Sequence, residues 1–240
     1  MMTLVGTAAT VVLLRDGAQG IEVLLLERPR HTGTFAGAWV FPGGRVDPED
    51  YAAAGSVPPD LQAEPRHPEL DLPAARIAGV RETVEETGLV LAPESLVELS
   101  CWIPPLQAPK RLRTWFFLAP APAGEIRLNP GELIDSAWLT PAAALELHRL
   151  GKMLLVAPTF VTLTLLQQFP DAAAALGFAA AATPETFSSR LLDGYEPDAV
   201  IAWHGDEQYP ADGAGQPGGR HRLVMRGSDW RYERNQAPAR

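Results

Sequence analysis

An α/β (α+β) fold is expected from three features of this 240-residue chain. Short apolar, β-prone runs recur through its first part, a long helix with one acidic face interrupts them, and the chain turns helical and alanine-rich after Thr140. The runs Val5 to Leu14 and Glu22 to Arg28 read as strands. A loop with Gly33 and Gly37 leads to a short strand, Trp39 to Phe41, which leaves through the glycine turn Phe41-Pro42-Gly43-Gly44. Residues 51–73 carry Pro58, Pro59, Pro65, Pro68 and Pro73 and read as an extended polar excursion, neither helix nor strand. A helix is expected from Ala74 to Thr87, followed by strands around Leu96 to Trp102, Thr114 to Ala119 and Ser136 to Leu139. Thr140-Pro141 is a helix start, with Thr as N-cap and Pro in the first helical position, running to Leu150. Pro158 opens a helix over Thr159 to Gln168, and the alanine-rich stretch Asp171 to Ala182 is helical. Ala199 to Trp203 and Arg222 to Met225 are expected to pair as a hairpin across the glycine-rich turn at 212–219. Residues 1–169 are read as the core, and 170–240 as a C-terminal helical and hairpin extension packed on it, with homodimerisation one role open to it.

Composition narrows the function. A net charge of −9 and a pI near 5.0 argue against general nucleic-acid binding, which rests on phosphate neutralisation by a basic surface. The apolar run Leu4 to Leu14 is too short to span a bilayer and has no basic flank before it, so no membrane role is expected and the location is read as cytoplasmic. The single cysteine, Cys101, allows no intramolecular disulfide and reads as a packed small side chain. His31, His67, His148, His204 and His221 are scattered without zinc spacing.

The chemistry is concentrated in Arg81-Glu82-Thr83-Val84-Glu85-Glu86-Thr87-Gly88-Leu89. At helical spacing Glu82, Glu85 and Glu86 share one face, and Ile77, Val80 and Val84 form an apolar stripe on the other. Like charges at this spacing each cost about 0.2–0.5 kcal/mol, so a helix tuned for stability alone would interleave cations. The other residues on the acidic side, Ala75, Ala78 and Gly79, are small and leave room for a second backbone. Hard carboxylate oxygens, with a backbone carbonyl from the Gly43-Gly44 turn, suit Mg²⁺ or Mn²⁺ better than zinc.

These residues resemble the Nudix hydrolases, whose box runs from a glycine turn through an acidic residue to R-E-U-x-E-E-x-G-U, with U apolar. The second half matches at Arg81, Glu82, Glu85, Glu86, Gly88 and Leu89, with Thr83 in an apolar position. Counted from Gly44 the earlier acidic position is Asp50; counted from Gly43 it is Glu49, and the Asp50 register also aligns Arg45-Val46-Asp47. Residues 51–73 then form an insertion inside the box, as in peroxisomal coenzyme A diphosphatase-like proteins and bacterial relatives. The resemblance covers residues 5–165 and implies an α/β/α sandwich with a mixed sheet. It implies that Glu82, Glu85 and Glu86, with the Gly43 carbonyl, hold Mg²⁺ or Mn²⁺, that Arg81 braces a box carboxylate such as Glu85, and that Gly44, Asp50 and Gly88 support the box. Glu132 is a candidate for accepting the proton of the attacking water. Arg28 and the cluster Lys110, Arg111 and Arg113 are candidates for substrate phosphates.

The expected reaction is metal-dependent hydrolysis of the diphosphate in a nucleoside diphosphate linked to another moiety, a small-molecule nucleotide. Leu24-Leu25-Leu26-Glu27-Arg28 ahead of Phe41-Pro42-Gly43-Gly44 has the spacing of an upstream run in coenzyme A diphosphatases, so coenzyme A or acyl-CoA leads. ADP-ribose, dinucleoside polyphosphates and NADH are the alternatives, and a nucleotide-binding sensor without hydrolysis is the alternative in kind.

Overall fold

Alternation of side chains along the first two strands decides the layering. The computed structural model describes residues 4–31, 35–57, 71–209 and 215–235. Strands β1 (Gly6–Gly17) and β2 (Gly20–Glu27) form an antiparallel hairpin in which Leu14 faces Val23 and Gly17 faces Gly20. On one face of this ribbon Ala9, Val11, Leu13, Leu24 and Leu26 are buried, and on the other Val12, Leu14, Val23 and Leu25. A strand buried on both faces must be covered on both, and burying each Leu or Val stabilises the fold by about 1.5–3 kcal/mol. The result is an α/β/α arrangement.

The central sheet is mixed. Strands β3 (Trp39–Val40), β4 (Gly43–Arg45), β5 (Val97–Ile103), β6 (Leu112–Pro120), β7 (Asp135–Leu139) and β8 (Glu185–Ser188) complete it, in the order β3-β2-β1-β6-β5-β8, with β4 on β1 and β7 on β2. The β1–β6 pair is parallel, from Gly6 opposite Leu112 to Leu14 opposite Pro120, and β5–β8 is parallel as well. Helices α1 (Pro48–Ala53) and α2 (Leu72–Thr87) cover the first face. Helices α3 (Pro141–Arg149), α4 (Ala157–Leu166) and α5 (Ala172–Ala181) cover the second. The Thr140 hydroxyl accepts from the Ala143 N–H at 3.2 Å, the cap expected there.

Several expectations need correction. The segment 51–73 is not wholly irregular: α1 continues through Ala53 and α2 begins at Leu72, while residues 58–70 lie outside the described residues. Prolines did not exclude helix here, because Pro48 and Pro73 fall in first turns, where their missing N–H costs nothing. Gly33 also lies outside the described residues. The stripe Ile77, Val80, Val84 is not the buried face of α2. Ala74, Ala75, Ala78, Gly79, Thr83 and Glu86 are buried and Val84 is 36% exposed. Small side chains let α2 lie close on β1, where a Cβ on Gly79 would stand 3.0 Å from Val11 Cγ2. Thr83, in the apolar box position, satisfies its hydroxyl by donating to the Gly79 carbonyl at 2.7 Å.

The C-terminal hairpin forms with Ala199 opposite Met225, and is larger than expected. Strands β9 (Arg190–Leu192), β10 (Ala199–Ala202), β11 (His221–Arg226) and β12 (Asp229–Arg234) make a second antiparallel sheet in the order β12-β11-β10-β9. Phe187, Trp203 and Leu223 join the same apolar cluster as Val12 and Phe116, so residues beyond 170 are packed into the fold's second face. Cys101 is fully buried, and burial pushes its thiol up to about 12, in keeping with a packing role.

Arg113 corrects the reading of the basic cluster. It is 3% exposed and donates to Asp71 Oδ2 at 2.7 Å; Asp71 itself is fully buried and also accepts from the Thr7 and Tyr51 hydroxyls. A guanidinium so enclosed ties β6 to the start of α2 and does not present itself to a substrate. Arg111 is 8% exposed, with Nε donating to the Pro104 carbonyl at 3.2 Å; Lys110 alone of the three is exposed. Asp71→Ala, which leaves Arg113 buried without its carboxylate, is expected to cost about 3–5 kcal/mol of stability by urea unfolding.

Candidate active site

The site begins where β4 turns beneath α2. Gly43 adopts φ of +155°, and a Cβ there would overlap the Ala9 carbonyl, so only glycine lets β4 pair this tightly with β1. Its N–H then donates to Glu86 Oε2 at 2.8 Å. Gly44 leaves the space that the Glu82 carboxylate occupies, for a Cβ at Gly44 would overlap that group. Gly88 ends α2 in the left-handed conformation, φ 73°, its N–H returning to the Val84 carbonyl at 2.8 Å.

Arg81 organises the acidic residues around it. Its Nε and Nη2 donate to the two oxygens of Asp50 at 3.1 and 2.9 Å, a bidentate fork, and Nη2 also donates to the Arg45 carbonyl at 2.9 Å. Nη1 donates to Glu82 at 2.9 Å and to Glu85 at 3.2 Å. Hydrogen bonding to Asp50 raises the Arg81 pKa above its ordinary value. Asp50 is 2% exposed and its Oδ2 accepts from the Asp47 N–H at 2.8 Å, whereas Glu49 is exposed. Arg81 therefore braces Asp50 first, and Glu82 and Glu85 with it.

Glu86 is the buried member, 4% exposed. Burial pushes its carboxyl up to about 8, with Glu82 and Glu132 adding to the rise and the Gly43 N–H and Arg28 opposing it. Burial likewise raises Glu82, against the pull of Arg81. Glu132 thus lies close enough for its charge to act on both box carboxylates, although it is exposed and distant in sequence. The loop carrying it is fixed by Leu133, buried in the first face, and by the Ile134 N–H donating to the Glu27 carbonyl at 2.9 Å. Arg28 brings positive charge to Glu86 from the end of β2, and its buried Nε has no hydrogen-bond partner among the described residues. Glu27, 6% exposed and held by Arg30 Nε at 2.9 Å, is the acidic neighbour that sequence reasoning missed. Its one signal was a carboxylate ending an apolar strand.

Among the described residues no three ligating side chains close around an ion. Glu82 and Glu85 are turned to Arg81, and Glu86 to Gly43. The donor set nevertheless fits a hard divalent cation. All its side-chain donors are carboxylate oxygens, the Gly44 cradle admits Glu82 against the turn, and Glu86, Glu82 and Glu132 repel one another in a site that burial deprives of water.

Solved structures share this architecture. A Nudix hydrolase from Alicyclobacillus acidocaldarius matches at 27% identity with a TM-score of 0.63, over 76% of this chain and 100% of that one. A MutT Nudix hydrolase from Burkholderia pseudomallei matches at 22% and 0.45, over 66% and 95% of the two chains. The MutT protein from Methanosarcina mazei Go1 matches at 21% and 0.45, over 70% and 99%. No family model and no curated protein sequence matches. The fold is that of the Nudix hydrolases, with α2 as its box helix. The acidic box of α2 sits within that fold.

Arg81→Met removes the fork while keeping much of the side chain's bulk. Because Asp50 retains one backbone donor and Arg81 is partly exposed, the expected loss is about 1–3 kcal/mol in urea unfolding.

Proposed function

We propose that this protein hydrolyses the diphosphate linkage of a nucleoside diphosphate joined to a second moiety, with Mg²⁺ or Mn²⁺, and that coenzyme A or an acyl-CoA is the substrate to test first. The observation that carries the reading is Glu86: a box carboxylate, almost fully buried, crowded by Glu82 and Glu132 and held only by the Gly43 N–H. A group in that state is costly to the fold, and a bound doubly charged cation would relieve that cost. Glu82, Glu85 and Glu86 would hold the ion, with the Gly43 carbonyl as a further oxygen. When bound, such an ion offsets diphosphate charge and makes water more acidic.

The chain's own residues supply the rest. Arg81 holds Glu82 and Glu85 from behind, which limits the reorganisation needed on binding. Arg28, with its buried Nε unpartnered, is placed to donate to a phosphate oxygen beside Glu86. Glu132, exposed yet close to the box carboxylates, is placed to take the proton from water at its carboxylate oxygen. The Leu24 to Arg28 run ahead of Phe41-Pro42-Gly43-Gly44 supports coenzyme A over ADP-ribose, dinucleoside polyphosphates and NADH.

The test is a substrate panel of coenzyme A, acetyl-CoA, ADP-ribose, NADH and diadenosine polyphosphates with Mg²⁺, products identified by mass. Cleavage of coenzyme A to 3′,5′-ADP and 4′-phosphopantetheine, abolished by EDTA, is the expected result. Tight nucleotide binding with no product from any member would replace hydrolysis by a sensor role. Glu86→Gln is expected to lower kcat at least about a hundredfold and to weaken Mn²⁺ binding measured by electron paramagnetic resonance. Glu132→Gln is expected to lower kcat by about 10²–10⁴ with Mn²⁺ affinity and melting temperature unchanged; near-normal turnover would remove Glu132 from the mechanism.

A further inference from the structure

A second cavity lies on the far side of the sheet from the box. It measures about 650 Å³ and sits between α4, α5, β5, β8 and β12. Trp102 and Phe187 on its sheet wall belong to the cluster packed under α4 and α5, whereas Ala75 and Ala78 of the box helix belong to the opposite cluster, so the sheet separates the two places. The volume falls within the range of roughly 300–1,000 Å³ typical of small-molecule sites.

The lining sets the chemistry of an occupant. Leu99, Val161, Leu165, Phe178 and Ala179 give it aliphatic and aromatic walls. Trp102 and Phe187 are already stacked on each other, with centroids 4.0 Å apart and planes 7° from parallel, so neither ring offers both faces to a flat ligand. A flexible chain suits these walls better. At the polar end Arg234 donates to both oxygens of Glu185, at 2.7 and 2.9 Å, and the two charges cancel. An anion admitted here meets Glu185, and a cation meets Arg234. The Tyr232 hydroxyl accepts from Arg234 Nη1 at 3.3 Å, which leaves its own proton to donate. Burial pushes that hydroxyl up to about 12, so the proton stays in place at neutral pH.

We infer that this cavity is a binding site for an uncharged molecule with a medium-length alkyl chain and one oxygen acceptor, the chain lying between α4 and α5 and the oxygen receiving the Tyr232 O–H. The site is separate from the box, and the inference does not depend on which nucleotide the box takes.

Ligand-detected NMR and calorimetry on the full chain test this with three probes of one length: 2-octanone, octanoate and octylammonium. Saturable 2-octanone binding is expected, with both ions at least about tenfold weaker, since each brings an uncompensated charge to the Glu185–Arg234 pair. Tyr232→Phe is expected to weaken 2-octanone by about three- to tenfold. Gln168→Trp, on the exposed rim, is expected to abolish binding without changing the melting temperature. Should that variant unfold, Thr164→Leu on the cavity wall takes its place, with a weakening of at least about threefold expected. Octanoate binding as tight as the ketone, 2-octanone binding untouched by a folded wall variant, or no saturable binding of the ketone would each overturn the inference.

Discussion

The guanidinium of Arg81 is the interaction on which the acidic site depends. One planar group joins three pieces of chain: Asp50 in α1, the Arg45 carbonyl of β4, and Glu82 and Glu85 on its own helix. Lysine could not replace it, because a single ammonium cannot hold both Asp50 oxygens in plane while reaching a carbonyl and two more carboxylates. The clamp also explains how carboxylates one turn apart are tolerated. Glu82 and Glu85 share a cation, and Glu86, on the same face, accepts instead from the Gly43 N–H.

Burial divides the charged residues into two populations with different work. Asp71 and Arg113 are enclosed and paired through Arg113 Nη1, with Thr7 and Tyr51 completing the carboxylate's partners. Asp206 is the same kind of group in the second sheet, with Arg222 and the His221 and Gln208 N–H groups converging on it. Around Glu86 the balance is different: its own charge and that of Glu82 and Glu132 gather, opposed at Glu86 by the Gly43 N–H and by Arg28. Structural ion pairs are closed on themselves, and the box is open toward whatever arrives.

How much of this was legible in the sequence follows from the range of each interaction. Local signals were reliable: Thr140-Pro141 capped α3, Gly88 ended α2, and the apolar runs gave the strands of the first half. The acidic motif stood out in the sequence because its members lie on one helix. Reading α2 by its large apolar residues failed, since Ala75, Ala78 and Gly79 win burial by allowing close approach, a quantity that hydrophobicity does not measure. The basic run Lys110 to Arg113 was misread for a related reason. A cation's partner forty residues away is invisible in sequence, and Arg113 is committed to Asp71. Strand β8 escaped notice because its four residues acquire strand character only by pairing with β5.

The small-residue face of α2 also has a bearing on how such a site can diverge. With Gly79 set against the Val11 side chain, Gly43 against the Ala9 carbonyl and Gly44 against the Glu82 carboxylate, helix, turn and first strand approach so closely that an added methyl at any of the three glycines would crowd its neighbour. Variation in specificity therefore has little purchase on this part of the molecule. It is left to residues that approach the acidic corner from outside, Arg28 at the end of β2 and Glu132 on its loop, which lie apart from the close contact of helix and sheet. The acidic frame is thereby insulated from the parts of the molecule free to vary around it.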